Sequence, residues 1–207
     1  MTDHDVRYPV AEPVRPAPHS FDGDSWTGWV LGAALVSMAL VAGLNFTFSV
    51  AVMPNLAGAD DHTFVATMQR FNTNPAFPLT FTAALVLIPL AAVLQRRHSP
   101  ALATRWTVVG LGLYAVVLAV TSALHLPLNA EIDEAGDPDR IADLAHVRDQ
   151  FEGPWVAGNH VRTLLCTAAV AALARALLLH GRGKAGAAAR ASTGGQHQQW
   201  PTPPSGP

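Results

Sequence analysis

A chain of 207 residues with net charge −2, half of it apolar and 14% charged, carries too little charge for an ordinary soluble domain, where about a quarter of residues are charged. The balanced charge, with no run of lysine or arginine, argues against a nucleic-acid partner. Cys166 is the one cysteine; it rules out an intrachain disulfide and a cysteine metal cluster and reads as a small apolar residue packed in a helix.

Residues 1–25 combine Pro9, Pro13, Pro16 and Pro18 with charged residues and little apolar surface, so a disordered tail is predicted. The apolar run that follows is too long for the core of a secretory leader and ends without a small-residue cleavage site. From Trp29 to Met53 the chain is almost continuously apolar, about 25 residues, enough to span a bilayer with some tilt. Asn45 is the strongly polar residue of this span, one turn before Ser49, and Pro54 is expected to close the helix. Gly28 and Gly32 form a small-xxx-small pair, suited to a contact between two copies or, more commonly, to packing within one chain; a homo-oligomer is thus left open.

Asp60 and Asp61 are placed to cap a short helix whose Phe64, Met68 and Phe71 form one apolar stripe, the pattern of a helix lying on a membrane surface. In Asn72-Thr73-Asn74-Pro75, Asn74 suits a cap and Pro75 the first helical position of a second span reaching about Leu94, with a kink expected at Pro89. A short loop with Arg96, Arg97 and Arg105 leads to a third span, Trp106 to Leu124. Gly110-Leu111-Gly112 lacks the strand context of a nucleotide-binding fingerprint. The run His125-Leu126-Pro127-Leu128-Asn129 is expected to end this span. Asp137-Pro138 is expected to start a further helix in an acidic loop. The fourth span runs from about Trp155 to Leu179 and is rich in alanine, which favours close helix approach. Residues 182–207, full of Gly, Ala, Gln, Ser and Pro, are predicted to be a disordered tail.

The predicted fold is therefore all-α, a four-helix transmembrane bundle over residues 26–181 with short amphipathic helices in its two outer loops. Most Arg and Lys lie in the two tails and the middle loop, which by the positive-inside rule puts both termini in the cytoplasm of a multi-pass cell-membrane protein. Asn45, Asn72, Asn74, His125, Asn129, Asn159 and Arg162 then all fall at one level, the outer rim, where facing helices build a site. Trp155, Asn159, Arg162 and Thr163 share a helix face there. Asparagines and prolines at helix ends are commonly caps, and an arginine at this level also serves as an interfacial anchor. Asn45 has no such capping role.

Four blocks of sequence resemble the anthrone oxygenase-like family of small four-helix membrane proteins: Phe48 to Pro54, Met68 to Phe77, Pro127-Leu128-Asn129, and Trp155 with Asn159 to Thr163. The resemblance runs from about Leu31 to Leu179. It implies a four-span bundle and, for the members with an assigned reaction, oxidation of a polyketide anthrone to an anthraquinone by dioxygen with no cofactor. The asparagines and arginine of the family pattern fall on Asn72, Asn74, Asn129, Asn159 and Arg162. Where His125 stands, many members carry asparagine.

An anthrone has an acidic C–H bond, and its anion can reduce dioxygen directly, so the reaction needs a base and donors for the oxygen anions. His125 is the candidate base and Arg162 the candidate neutralising cation. Asn45, Asn72, Asn74, Asn129 and Asn159 are candidate binding residues, and Phe71 and Trp155 candidate stacking surfaces. The expected partners are the lipid bilayer and a small lipophilic aromatic substrate, with no metal ion. The alternative is a non-enzymatic membrane protein that binds a lipid, a quinone or a protein partner. A haem or metal held by His125 and His160 is disfavoured, since His160 faces about 100° away from Asn159 on an ideal helix.

Overall fold

The computed structural model describes residues 23–196; the tail predictions for 1–22 and 197–207 lie outside them. Ten helical segments occur in this stretch, and no strand is found among the described residues. Four helical stretches are long and apolar enough to cross a membrane: Trp26–Leu56, Ala76–Arg97, Ala101–Glu134 and Leu144–Ala189. The first comprises α1 (Gly23–Thr47), a π-helical turn (Phe48–Val52) and α2 (Met53–Leu56). After α3 (Asp61–Asn72) comes α4 (Ala76–His98), then α5 (Ala101–Val120), a second π-helical turn (Thr121–His125) and α6 (Leu126–Glu134). A 3-10 turn (Pro138–Arg140) precedes α7 (Leu144–Gln196).

The four long helices close a ring in which α1 packs on α4 and α7, and α5 packs on α4 and α7. Their shared core places Leu31, Ala34, Met38 and Val41 of α1 against Ala84, Ile88 and Ala91 of α4, Tyr114 and Val117 of α5, and Cys166, Ala169, Leu173 and Ala176 of α7. The three-and-four spacing keeps each set on one face. Many of these residues are small, which lets helices approach closely where lipid supplies no hydrophobic drive for association. One close approach is at Gly110, where a Cβ would fall 3.0 Å from Leu173. Large apolar side chains such as Val36, Leu90 and Val109 face outward, as expected of a surface solvated by lipid. Gly28 lies against the His180 ring, whereas a Cβ at Gly32 would meet nothing within 4 Å.

The prolines expected to end spans one and three do not. At Met53-Pro54 and at Leu126-Pro127 the helix widens into a π turn just before the proline. Met53 N–H then bonds to Phe48 O and Leu126 N–H to Thr121 O. A proline ring collides with the carbonyl four residues back, and one wider turn absorbs that collision without ending the helix. Span three therefore continues through Glu134.

The loop-bearing end of the bundle also differs from expectation. Asp137 caps only the 3-10 turn, and Asp143 takes the cap position of α7 by accepting from His146 N–H. From there α7 is continuous through Pro154, so no separate helix precedes the fourth span; it also runs past residue 181 to Gln196. Asp60 caps α3 as expected, and the Thr63 backbone N–H and hydroxyl hold its carboxyl below the usual carboxylate range. The apolar stripe of α3 does not face lipid. Phe64, Val65 and Met68 are buried against Ile132, Phe151 and Trp155, forming a second core that lids the bundle. Arg148 fastens this lid: its guanidinium bonds to Asp61, Glu152 and the carbonyls of Leu56, Ala57 and Ala59, and lies 4.6 Å from the Phe64 ring centre.

Candidate functional site

Beneath the α3 lid lies a cavity of about 450 Å³, within the range of small-molecule sites. Asn45, Phe71, Asn72, His125, Asn129, Trp155, Asn159 and Arg162 all line it. Asn74 does not. It is exposed, and its Oδ1 accepts from Ala76 N–H at 2.9 Å, which makes it the cap of α4.

Asn159, 1% exposed, ties the polar wall together. Its Nδ2 donates to Asn45 O at 3.0 Å and to Ser49 Oγ at 2.9 Å, and its Oδ1 accepts from Arg162 Nη2 at 3.0 Å. Ser49 Oγ also lies 2.9 Å from Thr163 Oγ1, which bonds back to Asn159 O. Asn45 uses its own Nδ2 on Val41 O. The first π turn matters here, because widening a helix leaves backbone carbonyls available to outside donors; Asn45 O, just before that turn, is taken by α7. At the second π turn the carbonyl just before it, Val120 O, is faced by His125 Nδ1 of the same turn at 3.5 Å.

Arg162 is 7% exposed and meets only neutral oxygens: Asn159 Oδ1, and Thr121 Oγ1 at 3.5 Å. Its Nε has no partner, and among the described residues no carboxylate pairs with it. The guanidinium carbon sits 5.6 Å from the Trp155 ring centre, a cation–π distance. His125 is 1% exposed, edge-on to Trp155 with centroids 5.3 Å apart, and its Nε2 is buried without a partner. The ring fits against α7 because residue 158 is glycine: a Cβ there would fall 2.6 Å from His125 Cε1 and 2.5 Å from Leu124 Cδ2.

The lining also holds a cluster of aromatic rings. Phe48 lies edge-on to Phe71 at 4.9 Å and to Phe77 at 5.7 Å, and is tilted on Trp155 at 5.3 Å. Trp155 Nε1 donates to Asn129 Oδ1 at 3.0 Å, and Asn72 Nδ2 donates to Asn129 O and Asp133 Oδ1, so these three residues join α3, α6 and α7 across the cavity. His160 is exposed and bonds to Val156 O, so it does not meet His125.

Some lining residues were not singled out from the sequence as site residues. Thr121 and Ser122 lay in a stretch read as plain apolar span, and Phe77 and Phe81 just past a cap; the one-turn spacing of Leu118, Ser122 and His125 was the available signal. Gly158 gave no signal, since its need for a missing Cβ depends on a partner from another helix.

A ring of four long apolar helices, lidded at one end over a cavity lined by polar and aromatic side chains, defines a helical membrane protein. The family model for anthrone oxygenase matches residues 67–172, about half of the chain, and the chain belongs to that family. The matched segment holds Phe71, Asn72, His125, Asn129, Trp155, Asn159 and Arg162, while Asn45 and Ser49 lie before it. Comparisons with curated proteins and with solved structures returned no match.

Proposed function

We propose that the cavity binds a planar aromatic weak acid of the anthrone type and promotes its oxidation by dioxygen. The observation that carries this reading is Arg162, a buried guanidinium facing neutral oxygens in a pocket walled by aromatic rings. An uncompensated buried charge is costly, and an anionic ligand oxygen offsets it. Phe48, Phe71, Phe77 and Trp155 supply ring contacts, and Asn72, Asn129 and Asn159 fix orientation through their amides.

In the proposed reaction the substrate's acidic CH2 gives one proton to His125. With Nδ1 donating to Val120 O, the ring keeps its lone pair on Nε2, the form of a base. Arg162 stabilises the oxygen anion that develops. The carbanion transfers electrons to dioxygen and forms a C–O bond, giving a hydroperoxide after protonation. Loss of water, with the second hydrogen leaving that carbon, yields the ketone, so one CH2 and one O2 become one C=O and one H2O. Residues of the chain bind, orient and move the proton; dioxygen is the oxidant. In this reading the pocket lies on the outer side of the cell membrane, which the excess of Arg and Lys in the tails and middle loop supports.

One observation favours a second reading, binding of a quinone or lipid without reaction: His125 Nε2 sits beside Gly158 of α7 and is fully buried. Dioxygen uptake by membranes offered 1,8-dihydroxyanthrone, with spontaneous oxidation subtracted, separates the two. Oxidation predicts uptake above the blank that falls at least tenfold in Arg162→Leu and is partly retained in Arg162→Lys. A further His125→Asn variant tests the base alone. Uptake by wild type equal to the blank refutes the reaction and leaves the binding reading.

A further inference from the structure

The cavity is covered by α3, and part of its lining is exposed on the side of the bundle. Over its top, Gln69 of α3 donates to Ile132 O at 2.7 Å and Gly136 O at 2.9 Å, Asn72 bonds to Asn129 O and Asp133, and Met68 and Ile132 are buried beneath. At the side, α4 packs on α5 but makes no comparable contact with the Thr121–His125 turn or with α6. The Tyr114 hydroxyl donating to Phe81 O at 2.7 Å joins the two helices beside the cavity. Beyond it, Pro78 and Thr82 on α4 and Leu118, Ser122 and Leu126 on the facing stretch line the cavity. Pro78, Thr82, Ser122 and Leu126 also lie exposed on the bundle surface, Leu126 at 57%. Each set follows one-turn spacing, so the two stripes are the edges of a slot that runs from the cavity to the lipid-facing surface. The smallest side chains along these edges are Thr82 and Ser122.

We propose that the ligand enters sideways from the hydrocarbon through this slot, with Thr82 and Ser122 as its gateposts, and is therefore a membrane-partitioned planar aromatic weak acid. The proposal rests on the reading of the cavity as an aromatic-ligand site. Partitioning delivers the flat neutral acid along the bilayer, and only inside does Arg162 favour its anion. A water-soluble anion of the same shape would instead have to pass the α3 lid.

The test uses the full chain in phosphatidylcholine nanodiscs and the redox-inert probe 1,8-dihydroxyanthraquinone, with association followed by stopped-flow quenching of tryptophan emission. The double variant Thr82→Phe/Ser122→Phe is expected to slow association at least tenfold while the equilibrium Kd changes less than threefold. The outward-facing control Val116→Phe stays within twofold of wild type. Ser122→Leu alone repeats the test if the double variant misassembles. Unchanged association in the slot variants, or acceleration by Gln69→Ala, means aqueous entry and overturns the portal. Loss of equilibrium binding in the slot variants makes Thr82 and Ser122 part of the binding wall and also overturns it. A wild type that does not bind the probe overturns both the portal and the ligand reading, whereas binding without dioxygen uptake removes the oxidation and leaves the portal standing.

Discussion

Replacing Asn159 with alanine removes three side-chain bonds at once and separates α1, α7 and the arginine that Asn159 holds. Two of these, to Asn45 O and Ser49 Oγ, run between helices, and such bonds in membranes average about 0.6 kcal/mol each. The third, from Arg162 Nη2, involves a charged donor and is worth about 1.5–3 kcal/mol when buried. Asn159→Ala should therefore destabilise the bundle by about 3 kcal/mol, because Arg162 is left with the long contact to Thr121 and no other acceptor. The assay is reversible unfolding in mixed micelles, run as a double-mutant cycle with Ser49→Ala, which should show coupling between the two positions. Asn74→Ala is the control: it removes only an exposed cap, expected to cost about 1 kcal/mol or less. A loss below about 1 kcal/mol for Asn159→Ala, or equal losses at 159 and 74, would refute the view that Asn159 organises the polar wall.

Gly158→Ala places a methyl against Leu124 and His125, and overpacking of this kind costs about 1–3 kcal/mol. A variant as stable as wild type, with unaltered near-ultraviolet dichroism from Trp155, would show that the helices are not so close. Arg148→Ala strips the α2–α3 connection of its bonds to α7 and should weaken the lid by about 2–4 kcal/mol. Hydrogen exchange of the α3 amides reports this directly. Arg148→Lys should not restore protection, since one ammonium cannot serve two carboxylates and three carbonyls together.

The sequence by itself determined the membrane character, the number of spans and the level at which polar residues gather. These follow from composition, from the length of apolar runs against the thickness of a bilayer, and from the cost of leaving amides and guanidinium in hydrocarbon without partners. Asn45 and Arg162 were readable for that reason, and Trp155, Asn159 and Arg162 by their shared helix face. What followed from local rules alone misled at four places. Pro54 and Pro127 look like helix stops because the rule for proline considers a regular helix, and only packing on neighbouring helices makes a π turn the cheaper answer. Asp137-Pro138 looks like a helix start, but the α7 cap falls at Asp143. At Asn74 the local rule served better than the family position, for the residue reads as a cap and its side chain closes on its own helix. The stripe of α3 suits lipid or protein equally, and the choice fell to protein once Ile132, Phe151 and Trp155 offered a facing surface. Tertiary structure alone decided which amide bonds to which carbonyl, why residue 158 has no side chain, and which side chains line one cavity, because each depends on distances between helices far apart in the chain.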